Sequence, residues 1–135
     1  MRIRVIRFPI KGDNRGSLIA LEQNKDIPFK IRRVYYITDT KPGVVRGHHA
    51  HKKLKQVLIC VHGSCKIGLD NGYEQEEVVL DSIDKGLVIE HNIWRTMYDF
   101  SEGAVLLVLA SELYDPDDYI KDYQEFIKYI RREKA

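Results

Sequence analysis

Turn signals punctuate this chain at close intervals, and the stretches between them are too short for most helices. Gly12-Asp13-Asn14, Lys41-Pro42-Gly43, His62-Gly63 and Asn71-Gly72 bracket runs rich in β-branched and aromatic residues, the pattern of an all-β sandwich or barrel. Strands are expected over residues 2–8, 17–22, 32–38, 46–53, 56–62, 64–70, 74–80, 86–90, 95–100 and 104–110. Asn71-Gly72 reads as a type I′ hairpin turn. The run 104–110 is apolar at every position, as befits a strand covered on both faces. With 135 residues and 44% hydrophobic composition, the chain suits a single domain over 1–135.

Only the end changes period. From Asp117 onward, Tyr119, Ile120, Tyr123, Phe126, Ile127 and Ile130 recur at three- and four-residue steps, which predicts an amphipathic helix. Asp115-Pro116-Asp117-Asp118 supplies its start and Arg131-Arg132 its finish, each sign of charge matching the helix dipole. Such a helix would cover the barrel or one of its edges.

The chemistry concentrates in Arg46-Gly47-His48-His49-Ala50-His51-Lys52-Lys53, which holds three of the five histidines. On a strand, His49 and His51 point to one face about 6.6 Å apart, and His48 to the other. Two imidazoles facing one way can hold a metal or move protons near neutral pH. His62 reads as a turn residue and His91 as loop surface. Cys60 and Cys65 flank the turn at His62-Gly63, where a hairpin would set them face to face. A reducing cytoplasm favours two small apolar fillers over a disulfide.

The 22 basic and 20 acidic residues are well mixed, so no polyanion groove is expected and nucleic acid is not the partner. Met1-Arg2-Ile3-Arg4-Val5-Ile6 alternates instead of forming an apolar core. Neither a signal peptide nor a membrane span is expected, and the compartment reads as cytoplasmic.

Gly43, five residues, His49-Ala50-His51, four residues, Gln56, six residues and Gly63 reproduce the spacing of the first cupin motif. Gln56 stands where metal-binding cupins carry glutamate, and Arg95 falls in the place of the histidine in the second motif. Arginine stays protonated and cannot ligate a metal. With two of four ligands missing, no metal is expected.

More narrowly, the chain resembles the sugar 3,4-ketoisomerases that act on dTDP-4-keto-6-deoxyglucose, metal-independent cupins also grouped as WxcM-like proteins. The resemblance rests on Asp13-Asn14-Arg15-Gly16-Ser17, Ile27-Pro28-Phe29, Arg33-Val34-Tyr35-Tyr36, residues 46–54, Gln56-Val57-Leu58, Trp94, Leu109-Ala110-Ser111 and Asp118-Tyr119-Ile120. Two local departures are His48, where relatives carry a bulky Phe or Tyr, and His91-Asn92, which replaces a Pro-containing turn.

The resemblance implies a cupin jelly roll (a double-stranded β-helix) that forms a homodimer by N-terminal strand exchange. Its implied reaction moves a carbonyl from C4 to C3 of a dTDP-linked sugar through an enediol, ahead of a transamination. It implies His49 as the base, Tyr35 at the carbonyl oxygens and His51 as a shuttle or sugar ligand, with no cofactor. A pyrophosphate suits cationic side chains. Arg33 shares strand parity with Tyr35, and Lys53 with His49 and His51, so both are candidates. Arg46 has the wrong parity and reaches the pocket only if Gly47 marks a bulge. Trp94 and Arg95 are carried over from the second motif, Trp94 as a stacking partner or a core aromatic. Arg15 is either a solvated turn residue or, by resemblance to the branch with galacto products, a determinant of C4 configuration. A metal-dependent cupin enzyme and a non-catalytic sugar-nucleotide binder stand as alternatives.

Overall fold

Alternation along one strand, Gln56-Val57-Leu58-Ile59-Cys60, decides how the layers of the fold meet. All five residues are buried, so both faces of this strand must be covered. Gln56, Leu58 and Cys60 turn inward between two sheets, while Val57 and Ile59 turn outward beneath a separate layer. The computed structural model describes residues 1–134, with side chains through residue 132.

The first sheet consists of β1 (Arg4–Arg7), β4 (Arg33–Ile37), β6 (Gln56–His62), β9 (Lys85–Ile89) and β11 (Val105–Ala110), in the order β1-β9-β6-β11-β4. The second contains β5 (Arg46–His51), β7 (Cys65–Asp70), β8 (Gln75–Leu80), β10 (Trp94–Tyr98) and β12 (Tyr119–Ile120), in the order β12-β5-β10-β7-β8. Neighbouring strands are antiparallel throughout. The two sheets form a cupin jelly roll. A short hairpin of β2 (Lys11–Asp13) and β3 (Gly16–Leu18) stands apart from both.

Three apolar layers hold this arrangement. Leu58, Ile67, Leu87, Met97, Leu106 and Val108 fill the space between the sheets. Phe8, Ile27 and Phe29 cover the outward residues Val57, Ile59, Val88 and Leu109 of the first sheet. Helix α1 (Tyr123–Lys134) lays Phe126 and Ile130 over Ala50 and Trp94 of the second. Phe126 is fully buried; at about 1.5–3 kcal/mol for such a side chain, docking holds this helix more than its own propensity does.

Four local expectations are corrected. Strand β6 pairs with β9 and β11, and β7 with β8 and β10, so the turn at His62-Gly63 carries the chain from one sheet to the other and closes no hairpin. Cys60 and Cys65 are buried free thiols, with Cys60 Sγ donating to the His62 carbonyl at 3.2 Å. At Asn71-Gly72 only the glycine has positive φ. Asn71 Oδ1 accepts from the amides of Tyr73 and Glu74, making a longer Asx-type connection instead of a type I′ turn. The strand expected over 17–22 is cut to Gly16–Leu18.

The fourth correction bears on the site. The helix expected from Asp117 starts only at Tyr123. Asp115 caps a short 3-10 turn over Pro116–Asp118, and Tyr119–Ile120 then pairs with His51 and Ala50 of β5. Ile120 still packs with Phe126, so it fits the helical period without being helical.

Candidate active site

Where β4 and β5 approach each other at one end of the jelly roll, polar side chains replace the apolar core. Arg33 and Tyr35 point inward from β4, and His49 and His51 from β5. A cavity of about 420 Å³ is lined by Arg33, Tyr35, Arg46, His49, Tyr114 and Tyr119, together with Met97 of the core.

The two imidazoles meet as the strand period requires. Their ring centroids are 4.8 Å apart and nearly perpendicular. Tyr119 lines the cavity beside His49 and packs on both imidazoles, 5.0 Å from the His49 ring and 4.4 Å from that of His51. His49 Nδ1 lies 3.1 Å from the Gly47 carbonyl and acts there as donor, which leaves Nε2 with a free lone pair. Burial pushes the His49 pKa down to about 4, helped by the Arg95, Lys121 and His48 charges and opposed by the Gly47 bond. His51 is fully buried, and its pKa is pushed down to about 2, chiefly by burial, then by Arg95, His49 and Arg33. Both rings are therefore neutral at pH 7.

His51 is held from behind. Its Nδ1 lies 3.3 Å from Asp118 Oδ2, the acceptor that fixes the proton on Nδ1. Asp118 is held in turn by the amides of Lys53 and Leu54, at 2.8 and 3.3 Å. His51 Nε2 is buried with no partner.

Arg95 is fully buried at the base of the cluster. Its Nη1 donates to Gln56 Oε1 at 2.5 Å and its Nη2 to the Ile93 carbonyl at 2.9 Å. Burial lowers its pKa to about 10, against the pull of Tyr35, Tyr119 and Asp118, so it stays a cation held mainly by neutral acceptors. Gln56 Nε2 donates to Tyr35 Oη at 2.9 Å. Burial raises the Tyr35 pKa, while the Gln56 bond and the charges of Arg95 and Arg33 oppose that rise; the group is a phenol at neutral pH. The Arg33 guanidinium stacks over the rings of Tyr35 and Tyr114, at 5.1 and 5.5 Å, and its Nε and Nη2 are buried without acceptors.

The bulge condition on Arg46 is met. Arg95 faces His49 and Thr96 faces Gly47, so His48 is the extra residue. Gly47 and His48 have φ of 90° and 55°. A Cβ at Gly47 would come within 2.8 Å of the Arg95 carbonyl, so only glycine fits. The bulge brings Arg46 opposite the inward Met97 and leaves His48 exposed.

Three expected substrate residues stand elsewhere. Strand β5 ends at His51, so parity no longer aims Lys53, which lies exposed over a different depression with Arg32 and Asp115. Trp94 points outward into the layer beneath α1, stacked edge-on with Tyr123 at 5.3 Å. There it lines a separate groove of about 570 Å³ with Asp70 and Glu77. Arg15 sits on the tip of the free hairpin, 87% exposed and paired with Asp13 at 2.6 Å.

The sequence pattern put Asp118 and Tyr119 at a helix start and in a motif of the family, and Gln56 in another motif and in the place of a metal ligand, but gave none of them, nor Tyr114, a part in the site. Pro116 was the available signal: a capped turn there can end before Tyr119. Among the described residues, no group of three or more His, Cys, Asp or Glu side chains is arranged to hold a metal ion. Nor is any helix among them long and apolar enough to cross a membrane.

Comparison with known proteins agrees with this geometry. The family described as FdtA: WxcM-like, C-terminal matches residues 1–131. The TDP-4-oxo-6-deoxy-alpha-D-glucose-3,4-oxoisomerase of Aneurinibacillus thermoaerophilus is 52% identical over 132 residues, covering 98% of this chain and 95% of the relative. A 3,4-ketoisomerase from Helicobacter canadensis superposes with a TM-score of 0.94 at 52% identity, covering 97% of this chain and 98% of its own. The WlaRB TDP-quinovose 3,4-ketoisomerase from Campylobacter jejuni gives 0.89 at 53% identity, covering 93% of this chain and 97% of its own.

Proposed function

This chain belongs to the WxcM-like FdtA family and is a keto-sugar isomerase, and from that premise we propose that it converts TDP-4-keto-6-deoxyglucose to the 3-keto sugar by acid-base chemistry of its own side chains. One observation carries the mechanism: a fully buried arginine cation with mainly neutral partners is paired across the sheet with His49, which lines the cavity beside a second neutral imidazole. Burying such a charge costs several kcal/mol, and a developing enediolate is the partner that recovers it.

In this reading His49 Nε2 takes the proton from C3, and the C4 carbonyl oxygen gains a proton as the enediol forms. Tyr35 donates a hydrogen bond to that oxygen, and Arg95 lowers its energy through space. The 3-hydroxyl then loses its proton to become the new carbonyl, while C4 receives one. Protons balance, no electron leaves the sugar, and no cofactor takes part. His51, the second neutral ring, passes protons or holds a sugar hydroxyl. Arg33 and Arg46 suit the pyrophosphate.

We read the assembly as a homodimer exchanging the β2–β3 hairpin. Residues 9–18 are exposed, and an isolated two-stranded hairpin is barely stable in water. Strand β4 meanwhile ends its sheet with Val34 and Tyr36, 54% and 69% exposed. We assign the enzyme to the cytoplasm, on the ground of the TDP-linked sugar proposed as its substrate. For the product we propose the galacto configuration at C4, supported by the likeness of Arg15-Gly16 to that branch. The 53% identity to an isomerase named for TDP-quinovose favours the gluco product as a second reading.

Incubation with TDP-4-keto-6-deoxyglucose in deuterated water, followed by NMR, tests the whole reading. A 3-keto product labelled at C4 supports it and reports the configuration there; substrate recovered unchanged would end it.

A further inference from the structure

Arg95 offers only N–H groups, so the buried amide of Gln56 must turn its oxygen toward them. That orientation sends Gln56 Nε2 the other way, where it donates to Tyr35 Oη. A phenol oxygen that accepts along this line has its own proton free for a different direction. Resting on the 3,4-ketoisomerase reading above, we propose that Gln56 is a positioning residue that aims the Tyr35 hydroxyl proton into the cavity, at the sugar oxygen that gains charge as the enediol forms.

The geometry selects an amide over its closest isostere. A glutamate at position 56 would bond Arg95 as well or better, but it has no hydrogen to give Tyr35. Its second oxygen would instead draw the phenol proton toward itself and away from the substrate. Only a group that accepts on one side and donates on the other can link a guanidinium to a phenol oxygen in this sense. The cationic end polarises the chain, so each bond strengthens the next. Gln56 is fully buried, and the cross-strand row it shares with Arg33 has only the small Ala110 between them, which leaves this end of the jelly roll open for the relay.

The test is Gln56→Glu, alone and combined with Tyr35→Phe, with kcat and KM measured separately. Loss of an aimed donor predicts a fall of about 100-fold in kcat with KM nearly unchanged. In the Tyr35→Phe background the same substitution should cost much less, because the proton it misdirects is already gone. Equal losses in both backgrounds would overturn the proposal, assigning the effect to the charge on Arg95 alone. A readout without substrate is the Raman tyrosine doublet, taken as wild type minus Tyr35→Phe. It should carry the signature of a hydrogen-bond acceptor and change to that of a donor in Gln56→Glu. A donor signature in the wild type would overturn the proposal even if the glutamate variant failed to fold. Absence of any 3-keto product from the wild type would instead defeat the functional reading on which the proposal rests.

Discussion

Asp118 Oδ2 lies 3.3 Å from His51 Nδ1, joining two segments 67 positions apart. Through this contact the carboxylate selects the tautomer in which Nε2 is the free lone pair. Asp118 also accepts two backbone amides, so its removal touches both stability and chemistry.

Asp118→Asn keeps an acceptor for one neighbour and loses the charge behind His51. Activity should fall roughly 10- to 100-fold, as for loss of a partner that fixes a histidine's tautomer, and stability by about 1–3 kcal/mol from the amides left short of an acceptor. Steady-state kinetics and urea denaturation measure the two separately.

The pH dependence follows from two buried neutral imidazoles. Their folded pKa values, about 4 for His49 and about 2 for His51, lie below the ordinary 6.5. Between 6.5 and these values the unfolded chain binds protons that the folded chain refuses, so the rings' contribution is intact above pH 6.5 and is lost as pH falls toward 4 and below. Denaturation midpoints should decline across that window, and the decline should flatten in His49→Asn and His51→Asn. The same variants should lose turnover by about 100-fold or more.

Arg95→Met removes the buried cation, whose direct hydrogen-bond partners, Gln56 and the Ile93 carbonyl, are neutral. Stability should change by no more than about 2 kcal/mol, because relief from burying a charge offsets the lost hydrogen bonds. Turnover should fall by roughly 100-fold or more, as expected for losing a charge aimed at an enediolate. Calorimetry beside kinetics checks this opposition.

Replacing Val34 and Tyr36 with glutamate should leave the core untouched, since both side chains point away from it. In an exchanged homodimer the added charges would disfavour association, giving a monomer by sedimentation and a large loss of turnover. An unchanged assembly would count against the exchange.

Much of the fold was legible in the chain because strand alternation is a local property. The period of two put Tyr35 beside Arg33 and His49 beside His51, and the apolar run at 104–110 gave a central strand, β11, buried along most of its length. Where the period failed, the reason was equally local. Lys53 fell beyond the end of its strand, and the bulge at Gly47-His48 shifted Arg46 to the inner face.

Side-chain pattern alone thus specified an all-β sandwich or barrel, a paired set of imidazoles and an arginine too basic to bind a metal. It could not place Asp118 behind His51, Tyr119 over both rings, or Gln56 between Arg95 and Tyr35, because such contacts depend on the register of strands distant in sequence. Tyr119 and Ile120 matched a helical repeat, yet pairing with β5 satisfied their backbone groups and took precedence. Periodicity reports which face a residue occupies; only the folded sheets determine which residue it meets there.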